Sequence, residues 1–327
     1  MCTGFSFSSK NKQVLLGRTM DFVYQLEGFP AAQPRHYYWE SRVDYKGKTR
    51  YGFIGSGCDM EGLLFGDGVN EHGLGTSIQY FRGYASYATE PREGYMNIAQ
   101  SEVIIWVLGY NKNIDNVIKN APTVNVIGHV LNDIEEVPPI HYHITDETGR
   151  TVELTFRDGQ IVINENPLGV LTNNPDLNWH YENLRNFAQL TPHKPSHKRM
   201  LGQSVASLGN EGGTFGLPGG FTSGERFIRM AYLKDNLIGS DNPAYDVLDA
   251  FKLLDGVSIP KGAVLDENEG LHYTLYQTVL NLTTRTLFIK WYDTNQITEL
   301  ALTESLMIQD KMTVFDPVKG LITNKLN

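Results

Sequence analysis

The chain has 327 residues, 41% of them hydrophobic and 20% charged, which is enough to bury a sizeable core and too long for a small disulfide-stapled domain. Lys and Arg total 28 against 37 Asp and Glu, a net charge of −9 with no basic block standing above it, so nucleic acid is excluded as a partner. No apolar run approaches the roughly 20 residues of a membrane helix. Residues 1–13 carry neither the basic nor the apolar segment of a secretory leader, which points to a soluble, cytoplasmic protein with no membrane partner.

Residues 3–8 alternate as a strand, 9–12 read as a turn, and the apolar run Val14-Leu15-Leu16 resumes, predicting a β-hairpin that returns the chain past its own start. Strands are expected over 36–45 and 49–54, split by the turn-like Lys46-Gly47-Lys48. A glycine-punctuated stretch over 55–75 precedes a strand over 76–80. The first helix is predicted from an Asn97 N-cap to Leu108, followed by a short one over 113–119. Strands return over 141–145, 151–156 and 161–164, the last two joined through Asp158-Gly159, a strong hairpin dipeptide. After Asn174-Pro175 a helix is expected over 176–187. The segment 189–224, rich in Gly, Pro, Ser and His for most of its length, reads as an irregular excursion rather than a linker, because apolar patterning resumes on both sides. Helices over 225–236 and 244–254 and strands over 273–280, 286–291 and 296–302 complete the chain. This order fits helices layered on sheets better than a strict βαβ rhythm, and a single α+β domain over 1–327 is expected.

The two cysteines, Cys2 and Cys58, make no disulfide framework. Removal of Met1 ahead of a small residue leaves a chain that begins with Cys2, carrying a thiol and a free α-amine on one residue. The ordinary pKa values of these groups lie within about one unit of each other, so the amine can take the thiol proton without a histidine. The hairpin brings Gly17-Arg18-Thr19-Met20-Asp21 beside residue 2. Arg18 is expected to favour a thiolate by its charge, and Asp21 to hold the amine. Three apart on a strand, the two face opposite sides, so bringing both to one site calls for a local irregularity. Cys58 is read as an inert, at least partly buried thiol. His141 and His143 share a strand face and offer two metal ligands, but no third lies near in sequence, so they are read as ordinary imidazoles. The glycine-rich run 209–216 lacks dinucleotide spacing and reads as loop.

Six segments in order carry a resemblance: Met1-Cys2-Thr3-Gly4, Gly17-Arg18-Thr19-Met20-Asp21, Asp67-Gly68-Val69-Asn70-Glu71-His72-Gly73-Leu74, Gly169-Val170-Leu171-Thr172-Asn173-Asn174-Pro175, Gly216-Leu217-Pro218-Gly219 and Arg226-Phe227. Together they resemble the choloylglycine hydrolase family, the bile salt hydrolases and penicillin V acylases of the N-terminal nucleophile superfamily. The resemblance implies a four-layer αββα sandwich and hydrolysis of a linear amide with no metal or organic cofactor. It makes Cys2 the nucleophile and its amine the base, flanked by Arg18 and Asp21. Asn173 and the backbone N–H of Tyr80 become the oxyanion donors, and Arg226 orders the site. Met20, Tyr24, Phe65 and Tyr80 are expected to line an apolar substrate pocket. The resemblance also implies a homotetramer, joined through an arm within the excursion.

Three positions depart from the family pattern. Gly220 stands where relatives carry Asp, so a hydrogen bond is expected to be missing and the loop more mobile. His72 replaces a common Lys and is read as surface variation. Position 80 is Tyr, as in penicillin V acylases, where bile salt hydrolases carry Asn. Its ring could stack on a phenoxy group, an aromatic contact worth about 0.5–1.5 kcal/mol. Penicillin V acylase activity through a Cys2 thioester is therefore the leading expectation, with conjugated bile salts as the alternative substrates and acyl-homoserine lactones as a third. A catalytically silent binder on the same fold is the alternative of another class.

Overall fold

In a computed structural model, which describes residues 1–326, two β-sheets face each other and helices cover their outer sides. The N-terminal hairpin, β1 (Cys2–Ser8) and β2 (Val14–Phe22), forms in register with Cys2 opposite Met20 and Phe5 opposite Gly17. It lies in a six-stranded sheet between the short strand Val170–Leu171 and the long strand Tyr273–Asn281. The second sheet has eight strands, among them Phe53–Asp59, Leu63–Asn70, Gly75–Tyr80, Ile140–Thr145 and Thr151–Arg157.

The helices are amphipathic in the way their sequences require. In α5 (Ala244–Asp255) Val247, Ala250, Phe251 and Leu254 recur at helical spacing and pack with Phe227 of α4 (Ser223–Asp235) onto Phe5 and Leu15. On the other sheet, α1 (Val103–Tyr110) and α2 (Ile114–Asn120) bury Val103, Val107, Ile114 and Val117 against Tyr142 and Leu154. Val14, Leu16, Ile54, Val69 and Leu280 fill the space between the sheets. The order is therefore αββα, with caps where the sequence supplies them. Asn113 accepts from Asn116 N, Asp176 caps α3 (Leu177–Leu184), and Thr222 and Glu225 form a capping box on α4.

Several sequence expectations are corrected. Lys46–Lys48 is a strand paired with Tyr38–Glu40, not the turn between two strands. The glycine-punctuated stretch is mostly strand, and Phe29–Gln33 is a strand the pattern did not reveal. Asn97 is not an N-cap: Met96–Ala99 pairs in parallel with Val124–Ile127, and the Asn97 side chain ties down Arg92, Asp44 and Asn125. The excursion contains a small hairpin, Lys198–Met200 with Gln203–Val205, lying fully exposed.

Candidate active site

Cys2 is the first residue of β1, and its Sγ lies 3.9 Å from Met20 Sδ on the face turned toward the eight-stranded sheet. Arg18, on the same face of β2, is fully buried. It donates to Gly66 O at 2.5 Å and to Tyr276 Oη at 3.1 Å, with Nε 3.6 Å from Asp67 Oδ2. A Cβ on Gly66 would stand 2.7 Å from Arg18 Nη1, so only glycine lets that strand come so close. Burial alone would lower the Arg18 pKa, but Tyr276 and Asp67 raise it above the ordinary guanidinium value, so its charge is permanent.

Asp21 lies on the opposite face, as the three-residue spacing requires. The irregularity is in the facing strand, where the register slips between Thr274 and Tyr276, and not in β2. The Asp21 carboxylate accepts from Thr19 Oγ1 at 2.9 Å and Thr274 Oγ1 at 2.5 Å, and Thr19 Oγ1 in turn accepts from Thr3 N at 3.0 Å. With Met1 present, the terminal ammonium donates to the Asp21 carbonyl at 2.5 Å, and burial pushes its pKa below the ordinary value. The Cys2 nitrogen is then an amide, donating to Asn173 Oδ1 at 3.1 Å.

Arg226 comes from α4 and is fully buried with no carboxylate partner. It donates to Cys2 O, Thr3 Oγ1 and Asn173 Oδ1, each at 2.6 Å. Burial lowers its pKa, opposed by Asp21 and Cys2. Asn173 Nδ2 donates one of its two hydrogens to Tyr80 O at 2.8 Å, leaving the other free.

Ladder geometry explains why the Tyr80 backbone is available. Phe81 N donates to Pro139 O, so Tyr80 and Ile140 form a non-hydrogen-bonded pair. The N–H and C=O of Tyr80 therefore point to the other edge of the strand, where pairing with Leu63–Asn70 has already ended at Ser77 opposite Asp67. That open edge faces Asn173.

Met20, Phe65 and Tyr80 line one apolar pocket together with Cys2. Sequence reasoning missed its other walls, among them Phe22, Ile78, Ile134 and Tyr276, which come from segments bearing no motif. Two hydroxyls, Tyr80 Oη and Ser101 Oγ, are buried on this pocket's lining without a partner. Tyr24 does not belong to it: it is 45% exposed and lines a second, mixed cavity with Arg82, His272, Asn173 and the carboxylates Glu136, Asp266 and Glu267. Phe22, Tyr80 and Ile134 line both spaces, with Cys2 on the apolar one and Met1 on the other. Cys58 also lines the apolar pocket, but burial pushes its thiol up to about 12, which keeps it unreactive.

At Gly220 a side chain would collide with the Glu225 carboxylate, which already accepts from Thr222, while Arg229 donates to Pro218 O and Gly220 O. The loop is thus held by other bonds. His72 is half-buried, with its ring edge-on to Tyr51 at 4.6 Å. His141 pairs with Glu153 and His143 turns toward Ser6, so the two do not converge on a common ligand. Among the described residues no group of three or more His, Cys, Asp or Glu could hold a metal.

The αββα sandwich, with Cys2 on an interior strand beside Arg18, Asp21, Asn173 and Arg226, places the chain among the N-terminal nucleophile hydrolases. Residues 2–320 match linear amide C–N hydrolases of the choloylglycine hydrolase family, and the chain belongs to that family. It is 29% identical to a bile salt hydrolase/transferase of Clostridium perfringens over 100% of both chains. To a conjugated bile acid hydrolase of Lactobacillus gasseri it is 28% identical, over 96% of this chain and 100% of that one. The crystal structure of a mutant conjugated bile acid hydrolase from Clostridium perfringens superposes with a TM-score of 0.91 at 28% identity, covering 100% of both chains. A penicillin V acylase from Agrobacterium tumefaciens, at 19% identity, TM-score 0.76 and 96% and 91% coverage of this chain and of that one, shares the fold.

Proposed function

We propose that this linear amide hydrolase acts on conjugated bile salts through Cys2 after loss of Met1. The placement of Cys2 on an apolar pocket, beside a mixed cavity that Arg82, Glu136, Asp266 and Glu267 line, carries the reading, since it suits an apolar acyl body joined to a polar amine. The full-length similarity to bile salt hydrolases supports it and reverses the order of substrates expected from Tyr80 alone.

The freed α-amine takes the Cys2 proton, and the sulfur adds to the amide carbon. Asn173 Nδ2 and Tyr80 N–H hold the oxyanion, with Arg18 and Asp21 flanking the nucleophile and Arg226 ordering Asn173. The C–N bond breaks as the ammonium returns its proton to the leaving amine, and a water, deprotonated by the same amine, then cleaves the C–S bond of the thioester. No cofactor enters this scheme.

Penicillin V remains the second reading, favoured by the Tyr80 ring and its free hydroxyl on the pocket wall. Intact-mass analysis together with amine release from glycocholate and penicillin V, beside Cys2→Ala, tests both. Turnover of glycocholate by a Met1-free protein and a dead variant supports the proposal. Turnover of penicillin V alone restores the acylase reading, and turnover of neither by a correctly trimmed protein favours a silent binder.

A homotetramer and a cytoplasmic location belong to the same proposal. The exposed excursion, with Leu201 at 104%, Leu208 at 106% and Phe215 at 89% exposure, supplies apolar contacts for a second copy. Sedimentation as a monomer would remove that part.

A further inference from the structure

Two histidines that the scheme does not use lie directly behind the oxyanion donors. His141 is 1% exposed. Its Nδ1 is 2.8 Å from Glu153 Oε1 and its Nε2 is 3.2 Å from the carbonyl of Thr172, the residue before Asn173. Its ring lies flat on Phe81, the residue after Tyr80, with centroids 4.0 Å apart and planes 2° from parallel. One side chain therefore touches the neighbour of each oxyanion donor. His180 reaches only one arm, through Asn173 O at 2.9 Å, where Ser223 Oγ also holds Asn173 N at 3.0 Å.

A carboxylate and a carbonyl oxygen only accept, so the His141 ring bonds either of them only through an N–H. Glu153 is 2% exposed, and its second oxygen accepts from Asn164 Nδ2 at 3.0 Å. Burial alone would raise the Glu153 pKa, but the bond and charge of His141 bring it below the ordinary value. A buried ion pair is weak evidence for stability by itself. Here it fixes an object of definite shape between two loops that have to keep a set separation.

We propose that His141, held by Glu153, is a positioning residue that sets the distance between the Tyr80 and Asn173 arms of the oxyanion hole. The proposal rests on the reading of Tyr80 N–H and Asn173 Nδ2 as the two donors. The bond from Asn173 Nδ2 to Tyr80 O links the arms at the front, and His141 links them at the back. Loss of His141 frees the arms to drift apart, and a misplacement of about 1 Å is enough to cost on the order of 10²-fold in rate.

The test uses the full-length, Met1-free enzyme and whichever of glycocholate and penicillin V it cleaves. His141→Phe keeps the stack on Phe81 and removes both ring nitrogens, whereas His141→Gln keeps a donor. The Phe variant is expected to lose between about tenfold and a hundredfold in kcat with KM little changed, and the Gln variant to recover part of the loss. Alkylation of Cys2 by iodoacetamide, followed by peptide mapping that separates Cys2 from Cys58, is expected to keep its wild-type rate, because displacing iodide builds no oxyanion. If His141→Phe misfolds with Glu153 left unpaired, the double variant His141→Phe, Glu153→Met removes both partners and is measured instead.

An unchanged kcat overturns the proposal, and so does a parallel loss of turnover and alkylation, which marks a general structural role. Asn173→Ala, assayed in parallel, isolates the underlying reading. If that variant keeps full activity the oxyanion assignment is wrong, whereas a dead Asn173→Ala beside an unaffected His141→Phe removes the positioning role alone.

Discussion

Asn173 Oδ1 accepts from Arg226 Nη2 at 2.6 Å and from Cys2 N at 3.1 Å, so both of its lone pairs are occupied by donors. This fixes which end of the amide is which. The oxygen faces β1 and the guanidinium, and Nδ2 is left facing Tyr80 O with one hydrogen unused.

The first prediction follows from that orientation. Asn173→Ala removes the proposed oxyanion donor and is expected to lower kcat by about 10² to 10³. Asn173→Asp keeps an acceptor for Arg226 and loses both N–H groups, so it separates the two functions of the side chain. A comparable loss in Asp and Ala variants assigns the effect to the donor. Near-wild-type turnover by Asn173→Asp would reassign Asn173 to a structural role.

Arg226 makes a second prediction. Its fork reaches three acceptors around Cys2 while no carboxylate neutralises it. Arg226→Lys keeps the charge and gives up the planar fork. A loss of about tenfold in kcat is expected, equivalent to about 1.4 kcal/mol and close to the lower end for one hydrogen bond from a charged donor that no longer orients Asn173. Steady-state kinetics with full activity in the Lys variant would show that charge alone, rather than the fork, matters at this position.

How far the site could be read from the sequence depends on which contacts are local. Cys2, Arg18 and Asp21 were legible because a hairpin places them together and its turn is short. Their opposite faces also followed from strand periodicity. Asn173 and Arg226 are 171 and 224 residues from Cys2, and only the family motifs brought them forward. The pocket walls from Phe22, Ile78 and Tyr276 lie in strand pattern without a motif, so nothing local in the sequence marks them. Glycines misled the fold reading most. Gly55 and Gly66 look like loop punctuation, yet they sit in strands where a Cβ would strike Asp67 O at 2.0 Å or Arg18 Nη1 at 2.7 Å. Their role is close approach rather than turning. His141 looked like one half of a poor metal site because its partner Glu153 lies on the next strand, beyond the reach of sequence spacing.

Tyr80 carries the third prediction. Its buried hydroxyl has no partner on the apolar pocket, an arrangement that costs about 1–3 kcal/mol when nothing else satisfies it. Tyr80→Phe is therefore expected to raise the stability of the unliganded enzyme by about 1 kcal/mol. Its kcat/KM should fall only for substrates whose acyl group places an oxygen near that hydroxyl. Urea unfolding together with rates on penicillin V and glycocholate checks both halves. A less stable Phe variant would mean that bound water already satisfies the hydroxyl.

His143 gives a prediction about acid. The imidazole is fully buried between the sheets, Nε2 3.4 Å from Ser6 Oγ and Nδ1 without a partner. Burial, then the charges of Lys234 and His141, lower its pKa from 6.5 to about 3. Above the unfolded pKa of about 6.5 both states hold a neutral ring, and its contribution to stability is complete. As the pH falls below that value the unfolded chain takes up a proton that the native state refuses. Stability then declines by about 1.4 kcal/mol per pH unit, down to the folded value. His72 and His180, also lowered by burial, act with the same sign. Urea midpoints measured at several pH values between neutral and 4 are expected to fall steadily in the wild type. His143→Gln should flatten the slope by one proton's worth. A variant whose slope matched the wild type would place a proton on His143 in the folded enzyme and contradict its isolation from water.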